Sequence, residues 1–313
     1  MPDARTNRSR SRGVLALVII APLWGYSWIV IKTALDYSGP YTFVALATVG
    51  CTVAFIVALF ATRRPLRPPP LRFTVPIGLL QTALFNILAT VALSSGGAGK
   101  VGVLAYTMPF WLLLLAWPFL GERLRGLQWP AVALALAGLL LVVRPWDMGG
   151  ALAGVLAVVA GLVWAGAGLL IKLLQQREPV DALSLTAWQM AFGAVALVAV
   201  AALAQDGWPQ WTGTFIACLV YVVLLSSGLC FVLWTYALHT LPAGAAGMGA
   251  LAVPVIGVAA AWVHLGERPG AVEAAGMALI VAALAALAAY GLAAGHRASS
   301  AAIDEAVLPP VIE

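Results

Sequence analysis

One stretch of the chain is written twice, and this duplication restricts the possible folds more than any other feature. Segment 109–123, with Pro109 at its start and Gly-Glu-Arg at its end, recurs as segment 254–268. The two copies lie 145 positions apart, and further upstream an offset of 140 carries Trp24 onto Trp164. A repeat of about half the chain predicts a fold built from two related units.

The composition indicates the solvent in which these units fold. The chain is 63% hydrophobic and 9% charged, with a mean hydropathy of +0.99, whereas a soluble domain carries roughly 25% charged residues. A chain with so few polar groups cannot cover its own surface in water. We therefore expect it to lie in a lipid bilayer.

Apolar runs long enough to cross a bilayer follow one another along the whole chain. A spanning strand needs only about ten residues and alternates apolar with polar positions, whereas these runs are about twice as long and show no alternation. The sequence predicts an all-α integral membrane protein with ten transmembrane helices. We number the runs 1 to 10: 13–31, 40–62, 72–94, 98–119, 127–144, 151–172, 182–204, 212–238, 244–264 and 271–294.

The distribution of Lys and Arg predicts the orientation. If the N-terminus is cytoplasmic, thirteen of the 17 basic residues fall on the inner side and four on the outer side, as the positive-inside rule requires. Residues 1–12 are predicted to form a short disordered basic tail in the cytoplasm, and residues 295–313 a polar cytoplasmic tail. Each repeat, 13–146 and 147–294, has five runs. Because five is odd, the second repeat is predicted to be inverted relative to the first, around a central cavity.

Deep aromatic and uncharged polar residues are the candidates for lining that cavity. Buried indole, phenol and amide groups need hydrogen-bond partners, and either neighbouring helices or a substrate can supply them. The hydroxyls of Ser226 and Ser227 lie at similar depth. The predicted substrate-binding residues are Trp24, Trp28, Gln81, Asn86, Tyr106, Trp164, Trp188, Gln189, Trp234 and Tyr236.

Charged residues are missing from the middle of every run. A substrate with little net charge is therefore favoured, since an ionic one needs a buried counter-charge. The three His and three Cys are scattered, without metal-ligand spacing, and the Gly-rich match at 97–102 lies between two apolar runs and not after a strand. We expect no catalytic residue, metal, cofactor or nucleic-acid partner, and no enzyme activity.

The repeated motifs suggest two further roles. A proline inside a helix frees the carbonyl four residues earlier, so Pro109 and Pro254 are interpreted as hinges, with a simple packing kink as the alternative. In the Gly-Glu-Arg copies, Gly suits a helix end and Glu accepts from the start of the following helix. The predicted structural caps are Gly121, Glu122, Gly266 and Glu267.

Together these motifs resemble the two EamA-type repeats of the bacterial drug/metabolite transporter superfamily, and within it the amino-acid exporters of the YddG kind. The resemblance covers about residues 13–292. It departs from the pattern around Val49–Gly50, where many members carry an arginine, and at Pro130, where glycine is usual. It implies ten helices, cytoplasmic termini, a central cavity and metabolite export. The matching segments are 23–25, 31–32, Pro109 with 121–123, 188–190, and Pro254 with 266–268.

The function predicted is export across the bacterial inner membrane, by alternating access, of amino acids or similar small metabolites. Aromatic and other largely uncharged amino acids are favoured, without obligatory proton coupling. A proton-coupled multidrug exporter is the alternative and would need a carboxylate within the membrane. A non-transporting membrane enzyme or scaffold is the second alternative. The partners expected are the cargo and the bilayer, and a monomer is compatible with the sequence.

Overall fold

The structure is a computed structural model that describes residues 4–121, 126–143, 151–233, 243–283, 285–286 and 289. These residues form helices and contain no strand, so the all-helical prediction is confirmed for them. The elements are Ala4–Ala34, Pro40–Ala61, Leu71–Ile77, the π-helix Gly78–Leu84, Phe85–Ser95, Ala98–Ala105, Met108–Leu120, Gln128–Val143, Ala151–Arg177, Ala182–Ala204, Gly213–Val220, the π-helix Tyr221–Leu229, Ala243–Leu265 and 271–283.

Seven of the helical segments are long and apolar enough to cross a membrane, and they correspond to runs 1, 2, 3, 4, 6, 7 and 8. Runs 5, 9 and 10 contribute shorter apolar helical segments over Trp129–Val142, Val253–Leu265 (part of the helix Ala243–Leu265) and Ala271–Ala283. The multi-pass helical architecture follows from these segments. The exact number of ten spans stays a prediction.

The first helix differs from the prediction at its start. It begins at Ala4 and continues to Ala34, whereas a disordered basic tail was expected before residue 13. Arginine has a good helix propensity, and an established apolar helix extends through such residues at little cost. The basic residues therefore lengthen run 1 by about two turns.

Helix pairs from different repeats build the bundle. Run 1 packs along run 9, and run 6 packs along run 4, so the two pairs use equivalent helices of the two repeats. Run 2 packs along run 7, and run 3 lies against runs 6 and 7. Many buried positions at these contacts are alanines, such as Ala92, Ala157 and Ala160, and small residues allow helices in a membrane to approach closely.

Charged residues collect at the two ends of the bundle. At one end, which we call the Lys32 end, the Lys32 ammonium lies 3.7 Å from Glu267, and the Lys100 ammonium lies 3.6 Å from Glu273. This end also holds loops 35–39 and 205–212, where the Asp206 carboxylate accepts from the Tyr41 backbone N–H at 2.8 Å.

At the other end, which we call the Arg64 end, two ion pairs join loop 62–70 to loop 178–181. Arg64 pairs with Asp181, and Arg72 lies 3.1 Å from Glu178. Asp181 also caps the following helix by accepting from the Ser184 backbone N–H at 2.8 Å. These two loops, both predicted to be cytoplasmic, therefore share one end of the bundle, and the orientation of that end in the cell stays a prediction.

Candidate functional site

A cavity lies in the middle of the bundle, between runs 1, 2, 3, 4, 6, 7 and 8. Its volume is about 160 Å³, counted as the space open to the centres of water molecules. By this measure one water needs about 10–15 Å³. The cavity therefore has room for about ten water molecules, or for a small metabolite of similar size.

The cavity extends towards the Lys32 end. On runs 1, 2 and 3 the lining residues reach Ile31, Phe43 and Leu93, each within a turn of the helix end on that side. Towards the Arg64 end the lining on run 7 stops at Gln189, about two turns from the start of its helix at Ala182. The Arg64 end is thus the more thickly covered of the two.

Aromatic rings form much of the wall. Trp24 and Trp28 line it from run 1, Tyr106 from run 4 and Trp164 from run 6. The Trp164 ring meets Phe85 edge to face with centroids 4.5 Å apart, and the Trp24 ring meets Phe231 in the same manner at 6.0 Å. Such pairs are rigid and present both apolar faces and an N–H group.

Uncharged polar groups interrupt the apolar wall. Gln81 and Asn86 contribute amides from run 3, and Gln189 contributes one from run 7. The Asn86 amide donates to the Thr82 carbonyl at 2.7 Å. Within the described residues, no hydrogen bond reaches the side-chain amide of Gln81 or of Gln189. Because buried polar groups are normally satisfied, these two amides are available to a bound molecule.

Every described residue on the cavity wall is uncharged. The nearest ion pairs are those at the two ends of the bundle. An isolated charge taken into such a cavity would lose its hydration without gaining a counter-charge, which costs several kcal/mol or more. The site is therefore suited to a cargo without net charge.

The structure brings together seven of the ten residues predicted from the sequence: Trp24, Trp28, Gln81, Asn86, Tyr106, Trp164 and Gln189. Trp188 does not line the cavity. Its indole N–H is buried without a partner among the described residues, and its ring lies 5.9 Å from Phe192. Gln189 and Met190 both line the cavity, whereas Trp188, one position earlier and about 100° further around the helix, lies outside the lined face. Trp234 and Tyr236 lie outside the described residues.

Several lining residues were not predicted, among them Phe85, Phe231, Thr48 and Thr90. Single apolar or hydroxyl residues in an apolar run carry no pattern that separates a cavity wall from a helix contact. The π-helices Gly78–Leu84 and Tyr221–Leu229 were also missed. Run 3 and run 8 carry polar pairs at equivalent positions of the repeat, but such pairs do not distinguish a π-helix from an α-helix.

The two predicted hinge prolines have different surroundings. Run 4 is divided by a turn at Tyr106–Thr107, and Pro109 is the second residue of the helix that follows. Pro254 lies inside the continuous helix Ala243–Leu265. The carbonyl of Ala105, which Pro109 cannot satisfy, faces Gly161 of run 6.

The Gly-Glu-Arg copies end their helices with left-handed glycines, since Gly121 has φ 69° and Gly266 has φ 66°. The Glu267 carboxylate accepts from the backbone N–H groups of Ala98 at 2.9 Å and Gly99 at 3.2 Å. The helix that Glu267 caps therefore belongs to the other repeat. The helix predicted to be capped was instead the one that follows Glu267 in the chain. The packing of run 9 against the start of run 4 brings that helix start close to the carboxylate. Glu122 lies outside the described residues.

Comparison with known proteins identifies the same two halves. The model of the EamA-like transporter family matches residues 11–144 and again residues 151–289. The chain is 28% identical to an uncharacterized transporter, YoaV, of Bacillus subtilis (strain 168), over 82% of this chain and 89% of the relative. It is also 28% identical to a probable amino-acid metabolite efflux pump of Salmonella typhimurium (strain LT2), over 88% and 94% of the two chains.

A solved crystal structure has the same fold. It covers 89% of this chain and 96% of its own length, with a TM-score of 0.60 and 22% sequence identity. At this identity the likeness concerns the arrangement of the helices alone.

Proposed function

The chain belongs to the EamA-like transporter family, and from this membership we propose that it exports amino acids or similar small metabolites. Aromatic and other largely uncharged amino acids are the favoured cargo. The observation that carries the proposal is the uncharged aromatic cavity in the middle of the bundle. The printed function of the Salmonella relative, a probable amino-acid metabolite efflux pump, supports the same cargo class.

The proposed site consists of the seven predicted residues on the cavity wall, with Trp234 and Tyr236 kept as candidates. The rings of Trp24 and Trp164 hold an apolar side group by contact. The free amides of Gln81 and Gln189 supply both donors and acceptors for a polar group. A zwitterion fits this lining because its ammonium can donate to amide and hydroxyl oxygens while its carboxylate accepts from amide N–H and hydroxyl groups.

Transport proceeds by alternating access between two inverted repeats, which we assign to residues 13–146 and 147–294. The double match of the family model supports this division. So does the equivalence of the helix pairs, in which run 1 lies on run 9 as run 6 lies on run 4. Inverted repeats give inward-open and outward-open states of similar construction, with the regions of Pro109 and Pro254 as the bending points.

We assign the protein to the bacterial inner membrane with both termini in the cytoplasm. The basic count of thirteen against four supports this orientation, and the Arg64 end then faces the cytoplasm. In that orientation the cavity extends towards the periplasmic side. A monomer is sufficient for the mechanism, since one chain contains both repeats and the whole cavity.

Coupling to protons is not required for this mechanism. The described cavity wall has no acid or histidine that could carry a proton, so the cargo moves down its own gradient. The alternative, a multidrug exporter driven by proton antiport, would need such a group within the membrane.

The test is uptake of a panel of radiolabelled amino acids into liposomes that contain the purified protein. Aromatic and large apolar amino acids should enter at least tenfold faster than into empty liposomes, and faster than lysine or glutamate. Equal rates for neutral and charged amino acids would contradict the proposed cargo class.

A second experiment separates the two mechanisms. A proton gradient imposed without a cargo gradient should drive no net accumulation. Clear accumulation that a protonophore abolishes would favour the proton-coupled alternative and direct attention to Glu267, Glu273 and His264.

A further inference from the structure

Two π-helices occupy equivalent positions in the two repeats. Gly78–Leu84 lies in run 3, and the repeat offset of 145 carries it onto residues 223–229, inside the second π-helix Tyr221–Leu229. π-helical residues make up well under 1% of globular proteins, and they occur often at functional sites. The duplication of so rare an element indicates a shared role in the two halves.

Each π-helix brings a pair of polar side chains to the cavity. Gln81 and Thr82 lie on the first, and the same offset carries them onto Ser226 and Ser227 of the second. All four line the cavity. Gln81 and Ser226 are each 8% exposed, and the free Gln81 amide offers a donor and an acceptor at a buried position.

Aromatic side chains connect each π-helix to the other repeat. The Trp24 indole of run 1 donates to the Ser226 carbonyl at 2.8 Å, and its ring contacts Phe231 just after the second π-helix. Trp164, the repeat equivalent of Trp24, contacts Phe85 just after the first. Each of these equivalent tryptophans thus contacts the other repeat within its π-helix or directly after it.

We propose, on the basis of the transport function above, that the two π-helices form a two-sided clamp for the zwitterionic head of the cargo. Gln81 and Thr82 bind the head from one repeat, and Ser226 and Ser227 bind it from the other. Amide and hydroxyl groups both donate and accept, so the clamp satisfies an ammonium and a carboxylate together. A lone ammonium or carboxylate would leave its charge uncompensated in the same cavity.

The proposal predicts discrimination by head group among compounds with one ring system. In proteoliposomes the wild-type protein should transport tryptophan at least tenfold faster than tryptamine or indole-3-propionate. Gln81→Ala and Ser226→Ala should each lower tryptophan transport about tenfold. Gln176→Ala and Ser94→Ala are the matched controls, because both residues are exposed and outside the cavity.

The near-isosteric variant Gln81→Glu tests the clamp independently of protein yield. At pH 8 its carboxylate should raise the ratio of tryptamine to tryptophan transport at least fivefold, an effect that a purely structural role of Gln81 would not produce. An unchanged ratio, or tryptophan transport within twofold of wild type in both alanine variants, would overturn the clamp. Failure of the wild-type protein to transport any amino acid would instead overturn the proposed function.

Discussion

Runs 4 and 9 carry the same repeated proline, yet they adopt different conformations. Run 4 consists of two helices, Ala98–Ala105 and Met108–Leu120, separated by a turn. Run 9 is one helix, Ala243–Leu265, that continues through its proline. A proline alone therefore does not break these helices, and the cause of the break must lie in its neighbours.

Side-chain hydrogen bonds stabilise the turn of run 4. The Thr107 hydroxyl donates to the Leu104 carbonyl at 2.6 Å, and the Trp111 indole donates to the Thr107 hydroxyl at 3.2 Å. The repeat offset carries these two residues onto Ala252 and Ile256, neither of which has a polar side-chain group. Run 9 lacks the residues that would satisfy such a turn.

The helices that pack on runs 4 and 9 also differ, because run 6 has a glycine where run 1 has an alanine. A Cβ added at Gly161 of run 6 would lie 3.0 Å from the Ala105 carbonyl oxygen and 3.2 Å from the Thr107 hydroxyl. The repeat equivalent of Gly161 is Ala21 of run 1, which packs against the continuous run 9. The surroundings of each copy of the proline therefore differ, both in the neighbouring residues of its own run and in the helix that packs on it.

The largest effect is expected from Gly161→Val, which fills the space taken by the broken run 4. The three atoms that a Cβ would meet, the carbonyl oxygens of Leu104 and Ala105 and the hydroxyl of Thr107, lie in or directly before the turn, so they cannot move aside without disturbing it. Overpacking of this kind costs about 1–3 kcal/mol, and transport should fall more than tenfold.

Gly166→Val is the matched control for this substitution. Gly166 lies in the same helix, and a Cβ there would meet no atom within 4 Å. Thermal unfolding in detergent and proteoliposome transport measure the effect. Equal melting temperatures for the two variants would mean that Gly161 does not limit the approach of run 4.

Glu267→Gln should have the second largest effect, because it weakens the contact that fixes the start of run 4. The amide keeps one acceptor for the Ala98 N–H but loses the attraction to Lys32 and to the helix dipole. Loss of a charged helix cap costs about 1 kcal/mol. Thermal stability is the measurement.

Glu178→Gln is the control for this second prediction, since the Arg72–Glu178 pair is more exposed and such pairs contribute about 0–1 kcal/mol. Combining Glu267→Gln with Lys32→Met should cost less than the sum of the single changes. Simple additivity would show that the two side chains act separately.

Thr107→Ala gives run 4 the residue that run 9 has at the equivalent position. Loss of the hydroxyl removes the side-chain bonds of the turn, which contribute about 1 kcal/mol, and favours a straighter helix. Spin labels at Ser95 and Phe119 should report a longer distance than in the parent protein. Thr107→Ser keeps the hydroxyl and should retain the parent distance, whereas a change in both variants would argue against the hydrogen bond as the cause.

Trp111→Phe should have the smallest effect, because it removes one hydrogen bond and keeps the ring. The expected loss is about 0.5–1 kcal/mol of stability. Trp129→Phe serves as the control, since Trp129 is 53% exposed and its indole is free to contact the surrounding medium. A melting temperature that falls equally in both variants would contradict the role assigned to the Trp111 indole.

A site residue could be predicted from the sequence where its residue type alone is unusual in a membrane-spanning run. Deep tryptophans and amides such as Trp24, Trp164 and Gln189 stand out in an apolar chain, because each brings a polar group that needs a partner. Phe85 and Thr48 carried no such signal. Trp188 carried the same signal as its neighbour Gln189, although of these two only Gln189 lines the cavity. The direction of a side chain depends on helix rotation, which packing decides.

The sequence by itself determined the membrane setting, the helical class, the duplication and the EamA-like family, since apolar content, run length and repeated motifs are local properties of the chain. The tertiary structure decided how the equivalent parts differ. Only packing reveals that Glu267 caps a helix of the other repeat, that one proline lies beside a break and the other within a helix, and that two π-helices both line the cavity. These features depend on groups that are distant in sequence, such as Gly161 beside Ala105, and therefore no local pattern specifies them.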